Sequence, residues 1–574
     1  MKGRGIFKDQ DLEEIGGVIS SLAPTFEPFE KARRIVRSLH FEQIHNRESD
    51  IRDAHENTFE WVFRDSTSHF NEWLHREHGL YRISGKAGSG KSTMMKFLTG
   101  DSRTRQRLEM WGGNNLVIAK HHFWSAGTSL QMSQEGLLRT LLEDILISRP
   151  DLGSRICPKQ WAESNILELP RWSKTELLSC LMNLGNLTSG IGFDPAQLVH
   201  VCIFFDGLDE YSGDHSELAV LTQRLASFKN IKVCVSSRPW NDFTDAFGES
   251  QYKLELHELT ERDILTFTSD TLGQNSQFQH LKSRNPEDAE SLIQAISERA
   301  QGVFLWVFLV VRSLLRGLRN EDDLPTLKRR MIELPNQLEE FFGRMLDTIE
   351  PVYMKPAART LLMISRANGP FPMLTFLFVD LEACGTGIRS EASIPLESWP
   401  DIDPNAREML RIKRKQLVAQ CRDLLHIGTN PDEPQLLGER VGPLHRTVLD
   451  YLKTEEVNSL LLEKAGPDFE PYRALLVAHV LEIRALVRKA GLRHLKNYLC
   501  RWLNDIFDFA VGLELCTGQT ELETLDGFER FLETLFEEYH YSSFEEGMQS
   551  FFNIEENASS FVSLAAYRGL KLYP

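Results

Sequence analysis

Apolar residues along this chain follow two rhythms, and the change between them divides it. Up to about residue 258, short apolar runs alternate with helical spacings. Leu80–Ser84, Leu116–Trp124, Val201–Phe205, Ile231–Val235 and Tyr252–Leu256 read as strands. Val201–Phe205 is apolar throughout and stops at Asp206, the pattern of a parallel strand covered on both faces. Between the runs, Ser92–Leu98, Ser133–Ser148 and Leu218–Phe228 have helical spacing. A further helix is expected over His55–Leu74, ended by Gly79. Strands alternating with helices predict βαβ units and a parallel sheet.

Beyond residue 258 only helical spacing continues, apart from a hairpin-like stretch at Leu436–Val441. Residues 385–404, with Gly, Ser and Pro, read as an exposed loop. No repeat is detectable in 456–574. The boundaries that follow are 1–54 helical, 55–257 α/β, 258–350 helical, 351–455 helical with a hairpin, and 456–574 helical.

Composition narrows the class. The 574 residues, 41% apolar and 26% charged, suit about three to five globular domains. A formal charge of −17 disfavours general coating of nucleic acid. Asp505–Glu556 holds fourteen acids and one base, Arg530, which reads as a solvated face or a seat for a basic partner. The eight cysteines form no CxxC pair and fit a reducing compartment. The N-terminus has no apolar core for a signal peptide. Val303–Val311, continuing to Leu315, is shorter than the about 20 residues a membrane helix needs. A cytoplasmic protein without a membrane span is expected.

Chemistry enters at Gly85-Lys86-Ala87-Gly88-Ser89-Gly90-Lys91-Ser92, which fills GxxxxGK[ST] in full between a strand and a helix. Glycines let the backbone wrap a phosphate, and the helix start offers it a positive end. Lys91 is expected to reach the β- and γ-phosphates and Ser92 to offer Mg²⁺ its hydroxyl, with Thr93 next in the helix. Val201–Phe205 delivers Asp206, Asp209 and Glu210 to the crevice where α/β sheets bind ligands. Asp206 is placed to hold Mg²⁺, and Asp209 and Glu210 to polarise a water for attack on the γ-phosphate. In Ser236-Ser237-Arg238-Pro239, Arg238 can reach that phosphate and report its presence.

Three segments, AGSGKST at Ala87–Thr93, DGLDEY at Asp206–Tyr211 and CVSSRPW at Cys234–Trp240, together resemble a fungal NACHT ATPase of the nephrocystin-3-like type. Such proteins belong to the STAND class of NLR-like signal-transduction ATPases. AHENTFEW before the P-loop, GTSLQMSQEGLLRTLL after it and AQGVFLWVFLVVRSLL further on extend the likeness over roughly residues 40–455. The resemblance implies an α/β P-loop NTPase (55–257), a helical domain (258–350), a winged-helix-like domain (351–455) and a C-terminal helical region. It implies an ATP/ADP switch with Mg²⁺ and slow hydrolysis, which assembles into a homo-oligomer when ATP is bound. The settings implied are fungal innate immunity or heterokaryon incompatibility, with an unknown protein effector or ligand. Leu444-His445-Arg446 resembles the MHD motif, so His445 would touch the β-phosphate of ADP, although Arg446 stands where relatives often carry Asp. Gly302-Val303-Phe304 matches a GxP motif with Phe for Pro.

Other classes have less behind them. A metabolic P-loop ATPase or kinase would need an acceptor pocket that the helical half does not suggest. A winged-helix regulator of nucleic acid rests on Arg411-Ile412-Lys413-Arg414-Lys415 alone. No NKxD motif points to guanine, and no LSGGQ-type signature to an ABC ATPase.

Overall fold

The computed structural model describes residues 28–573 except 42–43, 65–67, 77, 126, 164–171, 188–197, 249, 368, 384–403, 422–423, 430–434, 491–495, 542 and 553–559. The loop expected at 385–404 therefore lies outside the described residues, save Pro404. The chain divides into two compact units, Met1–Leu334 and Pro335–Pro574.

The first unit is built on five strands: β1 (Gly79–Ser84), β2 (Leu116–His122), β3 (His200–Asp206), β4 (Ile231–Ser237) and β5 (Lys253–Glu255). They lie in the order β2-β3-β4-β1-β5, and every pairing is parallel. This is the parallel sheet the strand and helix rhythm implied, and with the loop after β1 it makes the α/β P-loop NTPase fold that the resemblance implied. The apolar composition of β3 and β4 follows from their central places: all seven residues of β4 and all but His200 of β3 are buried. β2, at the edge, alternates between buried and half-buried. The chain leaves β1 towards β2 at one edge and leaves β4 towards β5 at the other. The carboxyl ends of these two neighbours therefore flank a topological switch point, the place where open α/β sheets bind ligands.

Each sheet face has its own core. Val117, Ala119, Val201, Ile203, Phe205, Val233 and Val235 pack on one side with α2 (Gln134–Ser148), α3 (Lys174–Asn186) and α4 (His215–Ala226). Ile35 and Leu39, from the helix at 28–39, join that core. Tyr81, Ile83, Cys202, Phe204 and Cys234 face the other way, onto α1 (Lys91–Gly100), Trp73 and Leu74. Each fully buried Leu or Phe contributes roughly 1.5–3 kcal/mol.

The helix expected over His55–Leu74 is instead a 3-10 turn, Glu60–Phe63, and a short helix, Phe70–His75. Phe59 and His69, which precede them, take left-handed φ of 61° and 50°. The aromatic residues were correctly apolar but not on one helical stripe. They surround Tyr81, whose hydroxyl donates to the Ser68 carbonyl at 2.6 Å, and the chain must break to bring Phe63 and Phe70 together there. Arg82, a polar residue within β1, donates to Thr244 Oγ1 at 3.3 Å on the helix Asn241–Phe247.

The unit is completed by helices that include α5 (Glu261–Gly273) and α6 (Phe304–Arg319). In the second unit, α7 (Pro351–Arg366) and α8 (Pro404–Cys421) accompany an antiparallel sheet. Its strands β6 (Phe371–Pro372), β7 (Leu425–Thr429) and β8 (Glu439–Pro443) lie in the order β6-β8-β7. The hairpin-like stretch at Leu436–Val441 is thus a helical turn, Gln435–Gly438, running into β8. The basic run in α8 is committed locally: Arg411 pairs with Glu408, Arg414 with Glu439, and Lys413 is buried. The C-terminal helix Leu522–Glu538 buries Leu525, Phe528, Leu532 and Leu535 and leaves Glu523, Asp526, Glu533, Glu537 and Glu538 in solvent. Among the described residues no helix is long and apolar enough to cross a membrane.

Lys232 in β4 is buried completely. Its Nζ donates to the carbonyls of Trp73 at 3.1 Å and Leu74 at 2.5 Å, capping the helix Phe70–His75, and lies 4.5 Å from the centre of the Trp111 ring. Burial pushes its ammonium down from 10.5 to about 8. Between those values the unfolded chain binds the extra proton, so stability should rise with pH across that window. Lys232→Met should flatten the rise. Denaturant midpoints at about pH 7.5 and about pH 9.5 check this, and a variant whose midpoint climbs like wild type refutes it.

Candidate functional site

The P-loop joins the last residue of β1, Ser84, to the first of α1, Lys91. Gly88 and Gly90 turn it with φ of 73° and 97°, values that L side chains rarely adopt. The amide of Met94 then bonds the Gly90 carbonyl at 2.9 Å and closes the first helical turn. Met94, Met95 and Leu98 anchor the helix in the core, which fixes its N-terminus at the crevice. Lys91 folds back over the loop, with Nζ donating to the carbonyls of Gly85 at 2.8 Å and Lys86 at 3.0 Å. Burial lowers its pKa, and the nearby carboxylate of Asp209 opposes that shift. Arg238, Asp206 and Glu210 also act on this ammonium. The structure thus brings the acids and the arginine singled out in the sequence around the P-loop lysine.

Asp206 ends β3 and is 1% exposed. Its Oδ1 accepts from Ser236 Oγ at 2.6 Å, and its Oδ2 lies 3.1 Å from His122 Nδ1. Ser236 Oγ in turn accepts from the amide of Gly207 at 2.9 Å. Burial alone would raise the Asp206 carboxyl, but the His122 ring and the Ser236 hydroxyl outweigh it and hold the group at about 2. Gly207 turns the chain with φ of 73°, and the 3-10 turn Leu208–Glu210 follows.

The next two acids have different partners. Asp209, 4% exposed, accepts from the Arg238 amide at 3.0 Å and pairs with Arg238 Nε at 3.1 Å. Glu210 Oε2 accepts from the amide of Ser125 at 2.9 Å. Arg238, read from sequence as a phosphate reporter, is therefore bound to an acid of the same site.

Several contributors escaped the sequence reading. His122 and Ser236 hold Asp206, and Ser125 holds Glu210. The only signal for the first was a histidine pair, His121-His122, at the end of an apolar strand. Its partner His121 is driven down to about 3 by burial and bonds Thr140 Oγ1 at 3.1 Å. Asp263 on α5 also accepts from the Phe59 amide at 3.2 Å and Trp61 Nε1 at 2.8 Å, fastening the segment before the P-loop.

A loop from the helical layer reaches the P-loop as well. The amide of Leu305, in the first turn of α6, donates to the Gly88 carbonyl at 3.0 Å, and Lys86 Nζ lies 3.4 Å from the Gln301 carbonyl. Gly302 permits the approach with φ of 77°; a Cβ there would sit 1.9 Å from the His257 carbonyl oxygen. Phe304 follows, with its ring 5.3 Å from Phe267, which lies 5.3 Å from His55.

The donors present suit Mg²⁺ and nucleotide. Ser92 offers a hydroxyl and Asp206 a carboxylate, hard oxygen ligands of the sort Mg²⁺ takes alongside phosphates. The buried hydroxyl of Ser89 within the loop has no protein partner. His445 lies in the second unit. There its Nδ1 accepts from the Thr447 amide at 3.2 Å and caps the short helix Arg446–Leu452.

Residues 57–238 match the family model described as nephrocystin 3, N-terminal, and residues 348–493 match a domain of unknown function. With the five-stranded sheet and its P-loop, the first match identifies that segment as a NACHT-like P-loop NTPase module. No curated protein matches the chain. Solved structures with some likeness include a Walker-type ATPase of Pyrococcus abyssi, 15% identical, covering 71% of this chain and 100% of that one at a TM-score of 0.30. The ORC2 protein of Aeropyrum pernix in its ADP form is 13% identical over 74% of this chain and 99% of its own, with a TM-score of 0.31. Drosophila ORC bound to DNA is 16% identical over 73% and 99%, with a TM-score of 0.30.

The approach of α6 to the P-loop gives a direct test. Gly302→Ala combines a left-handed φ with a clash against backbone and should cost about 2 kcal/mol or more. Thermal unfolding of the variant checks this, and a midpoint equal to wild type refutes the packing at Gly302.

Proposed function

We propose that the protein is an ATP/ADP-binding signal-transduction switch, dependent on Mg²⁺, whose hydrolysis is slow and whose nucleotide state governs self-assembly. The observation that carries this reading is the bond from the Leu305 amide to the Gly88 carbonyl. It ties the first turn of a helix outside the sheet to the loop that would wrap the phosphates, so a loop reshaped by phosphate must shift or release that helix.

The chain's own groups have assignable tasks. Lys91 exchanges the carbonyls of Gly85 and Lys86 for phosphate oxygens, and the loop amides with the start of α1 neutralise the rest. Ser92 and Asp206 would hold Mg²⁺, which screens the phosphate charge. Glu210 or Asp209 polarises the attacking water, and Arg238 answers to the γ-phosphate. Both acids already accept from protein donors, Arg238 and the Ser125 amide, which supports slow turnover. Phe304, beside Phe267 and His55, offers an aromatic seat for the base. His445 would contact ADP when the protein is closed. The antiparallel sheet of the second unit supports a winged-helix-like domain there, and the local pairing of Arg411 and Arg414 favours a structural over a nucleic-acid-binding role.

Protein purified without added nucleotide should release stoichiometric ADP on denaturation. Lys91→Ala should carry none, its affinity falling roughly tenfold to a hundredfold or more with the loss of a charged bond. An empty wild type that turns over ATP rapidly would instead mark a plain ATPase.

Glu210→Gln should retain ATP while hydrolysing it more slowly. Unchanged turnover, with arrest by Asp209→Asn, would assign the water to Asp209. His445→Ala should speed ADP release and favour the oligomer in light scattering, and an unaltered ADP off-rate would remove His445 from the mechanism.

A further inference from the structure

The site's acid is held by a residue that the switch reading does not use. β2 and β3 pair in parallel so that His122 stands opposite Asp206 at the carboxyl ends of both strands. The amide of Phe123 donates to the Asp206 carbonyl at 3.0 Å, which locks that register one residue further. The His122 side chain is 7% exposed, and its Nδ1 sits 3.1 Å from Asp206 Oδ2. Asp206 Oδ1 already accepts from Ser236, and a carboxylate offers acceptors only, so Nδ1 donates to Oδ2. Nε2 of the same ring is buried without a protein partner, so this edge of the imidazole is not spent on the fold.

The need for such a residue follows from the carboxylate itself. The torsion that turns an aspartate carboxylate is broad, so packing alone does not fix its plane. A single donor leaves the group free to swing about one oxygen. Here the Ser236 hydroxyl on Oδ1 and the His122 ring on Oδ2 hold it at both oxygens. An ionised carboxylate offers about four lone-pair sites, so two donors leave others for a metal or its water. Ser236 is itself fixed by the Gly207 amide. The second tether comes from a different strand, far from any nucleotide motif.

We propose that His122 is the positioning residue of the magnesium acid: through Nδ1 it sets the plane in which Asp206 meets Mg²⁺ at the nucleotide site. This rests on the Mg²⁺-nucleotide reading above and names a determinant of its metal affinity. Partners of metal-ligating groups typically change metal affinity by about 10–100-fold when removed. Nucleotide held without metal depends on the P-loop and should be spared.

The test separates those two affinities on the full-length protein. Mn²⁺, standing in for Mg²⁺, is titrated into the ADP complex and followed by its electron paramagnetic resonance signal. ADP binding is measured separately in EDTA. His122→Leu should weaken Mn²⁺ by about tenfold to a hundredfold while ADP affinity in EDTA stays within about twofold. His122→Asn, whose amide nitrogen takes the place of Nδ1, should restore Mn²⁺ binding. His122→Gln, whose amide nitrogen falls at Nε2, should not, and this pair decides the matter should the Leu variant fail to fold. Equal Mn²⁺ affinity in the Asn and Gln variants, or wild-type affinity in the Leu variant, overturns the proposal. Parallel loss of Mn²⁺ and of ADP in EDTA makes His122 a structural residue and overturns it too. A wild type that takes up no ADP under either condition instead overturns the nucleotide reading on which the proposal stands.

Discussion

A carboxylate taken out of water must be given partners, and Asp206 is that carboxylate here. Burial of the charged group costs several kcal/mol unless donors replace the lost water. Two donors meet it, the Ser236 hydroxyl in β4 and the His122 ring in β2, and the Gly207 amide orients the hydroxyl. Strand order makes this arrangement available. With β3 between β2 and β4, the acid at its end can be gripped from both sides, and β1 lies just beyond to present the P-loop. The same order sets Asp209 against Arg238, since the strand that supplies Ser236 also supplies the arginine. The crevice is therefore assembled from strand ends that the apolar sheet holds in register.

The P-loop was legible because its chemistry is local. Eight consecutive residues spell the loop, and the strand and helix beside them are short-range consequences of their own apolar spacing. Asp206, Asp209 and Glu210 were legible for the same reason, since a fully apolar run ending in acids describes a buried strand reaching a crevice. The sheet was legible as parallel but not in its order. Nothing in β4 announces that it lies between the P-loop strand and the acidic strand, so Arg238 was read without its partner Asp209, and Ser236 was given no role beside Asp206.

What escaped the reading is long-range pairing. His122 and Asp206 are far apart in sequence and meet only through strand register, and Ser125 meets Glu210 beyond the ends of the same two strands. The broken helix over His55–Leu74 has a related cause. Its apolar residues were assigned to a helical stripe, but burial around Tyr81 comes with left-handed residues at Asn57, Phe59 and His69 that spacing does not reveal. In the second unit, β7 and β8 pair across a helical turn and residues outside the description, and short strands with mixed burial leave little periodicity to detect.

The contact between α6 and the P-loop differs in kind from the contacts around Asp206. Both partners, the Leu305 amide and the Gly88 carbonyl, belong to the backbone, so among substitutions only a proline at 305, which lacks the N–H, deletes the bond itself. What the sequence contributes is permission to approach: Gly302 has no Cβ to strike the His257 carbonyl, and its positive φ turns the chain into the first turn of the helix. A bond of this type contributes only about 0.5–1.5 kcal/mol net. That magnitude suits a reversible link better than a permanent clamp, because a phosphate that reshapes the loop can outweigh it. The arginine pair has the opposite character. Asp209 is nearly buried, and drawing Arg238 from it towards phosphate leaves a carboxylate in need of a new donor. On the proposed reading, the weak tether would respond to any nucleotide that fills the loop, whereas Arg238 would leave Asp209 only for a ligand whose negative charge replaces that of the carboxylate.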